Sequence, residues 1–413
     1  MKNNMKMKYI VIMILFALNN AASSQEILNR YLEISTENNP ELKAKFNEYL
    51  ASLQAIPQVG ALPDPQIAFG YFTQPVETRM GPQQFKISLS QALPWFGTIG
   101  AKKNVEIHHA KATYALFEET RSRLFLDIKS TYFDLYFIKK EINITNSNIR
   151  ISTTSKNLAL IEIRSGATSG VNALRAEMEL ADLENNLALL NDMWNVHILK
   201  FNNLLHVSEG SIVEIPDTLW TTNLQYSRAA ALDSIKSNNH QISDLSHRRN
   251  AFHAKEALAK KLGKPRFSIG MDYIGIGKSD DNSGGQDAVL FPKVGITIPL
   301  YRKKYTAMAD EAVYMQRAID DRRMDKINEL EMIFEKSYSE YVDADRRIAL
   351  YQKQSRLAEE MIKILEAEYA NDGKNFEEIL RMEKQILTYS LELESALCDK
   401  QTSIAFIMYL MGE

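Results

Sequence analysis

Apolar and polar positions alternate with period two in four short stretches of this 413-residue chain. Ile67, Phe69 and Tyr71 alternate with Gln66, Ala68 and Gly70, and Phe85, Ile87 and Leu89 with Lys86, Ser88 and Ser90. Phe267, Ile269, Met271 and Tyr273 alternate with Ser268, Gly270 and Asp272, and Val294, Ile296 and Ile298 with Lys293, Gly295 and Thr297. Successive side chains of a strand point to opposite faces, so each stretch predicts a strand with one oily and one small or polar face. The strands are expected near 65–73, 83–92, 265–274 and 289–299. Loops are expected over Thr73–Pro82 and around Ser279–Gly285.

Between them the pattern changes to helical. Ala101–Ser165 has no Gly or Pro over 65 residues, and Leu300–Asp372 has none over 73. Leu124, Ile128, Thr131, Leu135, Ile138, Ile142, Thr145 and Ile149 step by four and three alternately. So do Ile327, Leu330, Phe334, Ser337, Tyr341, Ala344, Ile348 and Tyr351. Such a seam predicts long helices packed as coiled-coil neighbours. Gly166 and Gly373 end the long runs, and a shorter Gly- and Pro-free run returns after each, which predicts two antiparallel helical hairpins.

The punctuation repeats. Pro65 and Pro265 open the first and third strands, Pro94 and Pro299 close the second and fourth, and Gly166 and Gly373 mark the hairpin tips. The chain therefore reads as one unit written twice, residues 25–216 and 217–413, with Pro216 at the joint. Ahead of them, Lys2, Lys6 and Lys8 precede an apolar run from Tyr9 to Leu18 and a small-residue exit, Ala21 to Ser24. Residues 1–24 are expected to be a secretory signal peptide. The run is too short to span a ~30 Å hydrocarbon core as a helix.

An exported chain with no long apolar helix can enter a membrane only through a closed β-barrel. The strand lengths suit a tilted membrane strand of about 9–11 residues, although a soluble sheet would alternate in the same way. Four strands cannot close a barrel. Several copies would have to, three supplying twelve strands and two supplying eight. The expected fold class is mainly α with a membrane β-barrel: long antiparallel coiled-coil helices plus four transmembrane strands per chain.

Charge and composition narrow the function. Lys+Arg is 49 and Asp+Glu 52, a net of −3, which gives no basic excess for nucleic acid. A single cysteine, Cys398, excludes an intramolecular disulfide framework and reads as buried and inert. His108-His109 are adjacent and Met408 and Met411 three apart, and no Cys/His cluster has ligand spacing, so no metal or cofactor site is expected. Gly277-Lys278-Ser279 looks like the end of a phosphate loop, but Asp272 stands where its leading glycine is required. No nucleophile elbow or H-E-x-x-H motif is present, and a non-enzyme is expected.

The residues resemble the TolC-like outer-membrane efflux proteins across the chain beyond the leader. Leu62-Pro63-Asp64-Pro65 is similar to that family's pre-strand motif. Gly81-Pro82 followed by Lys86, Gln91 and Pro94-Trp95-Phe96-Gly97 resembles its heavy-metal, CusC-like branch. Arg164-Ser165-Gly166-Ala167-Thr168 and Tyr369-Ala370-Asn371-Asp372-Gly373 resemble its hairpin ends. The resemblance implies a homotrimer in the outer membrane, a twelve-stranded barrel over a twelve-helix periplasmic tunnel. It implies a passive duct, for heavy-metal cations, working with a periplasmic adaptor and an inner-membrane RND pump. Arg164, Ser165, Gly166, Ala167, Thr168, Ser169, Asn371, Asp372, Gly373 and Lys374 would dock the adaptor. Glu377 and Glu378 are candidates for a periplasmic constriction, and Trp95 and Phe96 for an aromatic belt at the membrane interface. A duct for drug or protein export and a periplasmic coiled-coil scaffold are the alternatives. Three features depart from the family: no cysteine follows the leader for acylation, Asn239-His240 lacks the proline of Asn39-Pro40, and little chain is left for an extra equatorial domain.

Overall fold

The computed structural model describes residues 25–164, 171–278, 284–372 and 376–413. Residues 1–24, expected as a signal peptide, residues 279–283 of the second expected loop and most of the expected tip residues fall outside them. The chain is mainly α-helical with one small antiparallel sheet. In chain order the elements are α1 (25–38), α2 (Pro40–Gly60), β1 (Gln66–Thr78), β2 (Gly81–Leu93), α3 (Thr98–Arg164) and α4 (Val171–Leu205). They are followed by α5 (Arg228–Asn238), α6 (His240–Leu262), β3 (Arg266–Ile276), β4 (Ala288–Thr297), α7 (Arg302–Asp372) and α8 (Phe376–Leu410). The long helices contain 67 and 71 residues, and each is followed by a 35-residue helix.

The elements gather into two compact units. One comprises residues up to Ala44, Glu118–Asn239 and Asn328–Glu413; the other comprises Lys45–Phe117 and His240–Ile327. In the first, the predicted seam is the core: Leu124, Ile128, Thr131, Leu135, Ile138 and Thr145 of α3 and Leu330, Phe334, Ser337 and Ala344 of α7 are buried. An aromatic cluster closes it. The Phe201 ring meets Tyr31 edge-on at 5.0 Å, and Tyr132 lies 6.1 Å from Phe201 and 6.4 Å from Trp220.

Two asparagines mark equivalent places in the two repeats. Asn39, between α1 and α2, caps α2 by accepting from the Leu42 N–H at 3.0 Å and donates to the Leu204 carbonyl at 3.1 Å. Asn239, between α5 and α6, donates to the Leu410 carbonyl at 2.9 Å. Each amide thus fastens a helix break to the end of the returning helix of its own repeat. The segment 207–227 is irregular. It is held down by the Tyr31 hydroxyl accepting from the Glu214 N–H (2.7 Å), the Tyr136 hydroxyl accepting from the Leu219 N–H (3.1 Å), and Lys139 bonded to the Ile215 carbonyl and Asp217.

In the second unit the sheet order is β1-β2-β3-β4, all antiparallel. Thr73–Pro82, expected as a loop, instead extends the first hairpin. β1 skips register between Tyr71 and Val76 and then pairs Val76, Glu77 and Thr78 with Gln83, Pro82 and Gly81. Gln74-Pro75 reads as a breaker, yet pairing resumes because β2 supplies a partner edge and a bulge absorbs the proline. Gly81 turns the chain at φ +116°, a region open to glycine, and a Cβ there would meet the Gly277 carbonyl oxygen. Phe46 on Phe117 (5.4 Å) and Tyr49 on Tyr114 (5.0 Å) pack α2 against the start of α3.

Candidate functional site

The two faces of the sheet have different surroundings. On one, Ile67 (76% exposed), Phe69, Tyr71, Ile87, Leu89, Ile269, Met271, Val294 (71% exposed) and Ile296 stand open. No helix among the described residues covers them. The register sets them side by side: Phe69 opposite Ile87, Ile87 opposite Tyr273, Leu89 opposite Met271, and Ile269 opposite Val294. A contiguous bare apolar face of this extent marks a surface that meets something apolar. The other face carries Gln66, Ala68, Lys86, Ser88, Ser90, Ser268, Asp272, Lys293 and Thr297. On it Asp272 is buried (2% exposed) and bridged by two lysines, with Lys86 Nζ at 2.8 Å from Oδ2 and Lys293 Nζ at 3.1 Å from Oδ1. β1 and β4 are the edge strands, each paired on one side only among the described residues. Oily outside, polar inside and unsatisfied at both edges is the description of a barrel segment.

Trp95 and Phe96 follow β2. Trp95 is half-buried and stacks on Phe267 (6.0 Å, 24°), while Phe96 is exposed and meets Trp95 edge-on at 5.9 Å. The indole is thus an anchor within the sheet and the phenyl ring the exposed member of the pair.

Of the predicted tip residues, Arg164 ends α3 and is exposed, and Asn371 and Asp372 close α7. Ser165, Gly166, Ala167, Thr168, Ser169, Gly373 and Lys374 lie outside the described residues. Glu377 and Glu378 fall in the first turn of α8, where carboxylates complement the positive helix end. Glu377 is exposed, and Glu378 pairs with Arg381 one turn on. Close by, Ser147, Arg150, Ile151, Ile362, Ile379 and Glu383 line a groove of about 540 Å³ between α3, α7 and α8. It joins α3 to the α7–α8 hairpin of the other repeat, so no local pattern announced it.

Among the described residues, the titratable groups of the helices are set by burial and by local ion pairs. Burial pushes the Cys398 thiol up, so it stays protonated, and its Sγ lies 3.8 Å from the Phe133 carbonyl. Burial also lowers His108 and His247, leaving both imidazoles neutral at pH 7. Among the described residues no group of three His, Cys, Asp or Glu side chains is placed to hold a metal ion. No helix among them is long and apolar enough to cross a membrane.

Residues 32–197 match the protein family described as Outer membrane efflux protein. No curated protein matches the chain. Among solved structures, the outer-membrane protein VceC from Vibrio cholerae is 14% identical with a TM-score of 0.73, covering 94% of this chain and 97% of its own. The Campylobacter jejuni CmeC outer-membrane channel is 13% identical with a TM-score of 0.72 over 94% of this chain and 86% of its own. CusC, which forms a transmembrane channel, is 14% identical with a TM-score of 0.72 over 93% of this chain and 92% of its own. At such identities the likeness is one of fold, and it spans both repeats. The fold is that of the outer-membrane efflux channels. Within the first repeat, residues 32–197 carry the sequence signature of the outer membrane efflux proteins.

Proposed function

We propose that three copies of this chain close a twelve-stranded barrel in the outer membrane and form the passive exit duct of a tripartite efflux system, with a periplasmic adaptor and an inner-membrane RND pump. The observation that carries this reading is the bare apolar face between two open strand edges. In lipid each unsatisfied backbone group at an edge costs several kcal/mol. β4 of one copy laid against β1 of the next removes that cost. Nothing in the described residues binds nucleotide, so the driving force comes from the pump. Detergent extracts of the outer membrane should yield the full chain as a trimer; a water-soluble monomer would overturn the duct and favour the periplasmic scaffold.

The cargo reading follows the heavy-metal branch that Pro94-Trp95-Phe96-Gly97 and its neighbours resemble. The tips would meet the adaptor, and Glu377 and Glu378, brought together threefold, would ring the narrow end with carboxylates. A deletion strain is expected to lose tolerance to copper, silver, zinc or cobalt, and the wild-type copy to restore it. Copies carrying Gly166→Val or Gly373→Val should reach the outer membrane at normal level without restoring tolerance. A deletion strain of unchanged tolerance to all four metals would move the cargo to drugs or proteins. A valine variant that restores tolerance in full would remove the tips from adaptor docking.

A further inference from the structure

We infer that the water-facing wall of the sheet is an anion-favouring stretch of the duct, set by Lys86 and Lys293. The inference rests on the duct reading above. Lys86 on β2, Asp272 on β3 and Lys293 on β4 meet across three adjacent strands, and the one carboxylate serves both ammonium groups. One positive charge per chain is left over at this level. Both lysines keep open surface, at 36% and 47% of their side chains, while Asp272 is sealed beneath them at 2%. A passing ion therefore meets the cations and not the carboxylate.

The neighbouring positions on the same face do not cancel this excess. Ser88, Ser90, Ser268 and Gly270 are neutral, and Arg266, on the same face by alternation, adds a further cation at the start of β3. Glu77 is the other carboxylate in the four strands and stands beside the β1–β2 turn. Asp287, ahead of β4, is engaged with the Tyr273 hydroxyl, whose ring belongs to the apolar face. Three copies would place six of these lysines against three aspartates around one level of the lumen. Rings of charged side chains select the counter-ion, Lys and Arg favouring anions. The ligand class is small anions, or an anionic form or complex of the cargo. A free divalent cation would be opposed at this level.

The test is the zero-current potential of the full chain in a planar bilayer under a dilute KCl gradient. The wild type is compared with K86Q/K293Q and with the charge-free triple variant K86Q/D272N/K293Q. The triple variant covers the case in which an unpaired buried Asp272 stops the double variant from folding. Both variants should lower the chloride-to-potassium permeability ratio by about twofold or more, an order-of-magnitude expectation for removal of a charged ring. The difference should fade near 1 M salt, where the screening length falls to about 3 Å. Conducting variants with the wild-type ratio would overturn the inference and leave the duct standing. A wild-type chain that forms neither trimers nor conducting pores would overturn both.

Discussion

Ile87→Arg is expected to abolish assembly in the outer membrane, while Ser90→Arg on the same strand leaves it largely intact. Ile87 lies on the apolar face of a central strand, opposite Phe69 on one side and Tyr273 on the other. An arginine there must either sit in hydrocarbon or drag water to itself, at a cost of about 2–4 kcal/mol near the bilayer midplane. Ser90 faces the other way, opposite Gln66 and Gly270, where an added cation would lie in lumen water. A threefold assembly would incur the Ile87 penalty three times, a total of about 6–12 kcal/mol that is comparable with the whole margin of an ordinary fold. The measurement is the fraction of folded trimer in outer-membrane fractions at equal expression. Equal levels for the two variants would mean that the apolar face does not meet lipid.

Phe201→Ala should be the most damaging truncation in the helical part. The ring is fully buried and touches Tyr31 and Tyr132, each from a different helix. Removing a buried phenyl ring costs about 3–5 kcal/mol, and the two rigid aromatic rings against it collapse poorly into the hole. The denaturant midpoint of detergent-solubilised protein should fall clearly, with the slope unchanged. Phe96→Ala, which removes an exposed ring, should leave that midpoint where it is. A similar fall for both would show that the cluster around Phe201 contributes nothing special.

Much of this architecture was legible in the order of residues because its signals are local. A strand with one bare apolar face, such as 67–71, announces itself in five residues, since that face alternates with polar positions whatever covers it. The long helices were readable because 65 residues without Gly or Pro leave few other conformations. The last part of β1 was not readable. Gln74, Pro75, Glu77 and Arg79 carry loop chemistry, and only the register against Gln83, Pro82 and Gly81 turns 76–78 into strand. Asp272 looked like one more polar position in an alternating run. Its role depends on Lys86 and Lys293, 186 residues upstream and 21 downstream, which meet it only after three strands have paired. Segment 217–227 carries no periodic signal: hydrogen bonds to Tyr136 and Lys139 and the adjacent buried pair Leu219 and Trp220 hold it, and none of these repeats along the chain.

The bare sheet with its two free borders has a cost before any duct exists. A single copy displays Ile67, Phe69 and Val294 beside two strand edges that pair with nothing among the described residues, the combination from which strands from different molecules stick together in the wrong order. The lone subunit is therefore a hazardous intermediate. The yield of correct product should depend on how quickly each copy is shielded by an escort, by lipid or by its two sisters.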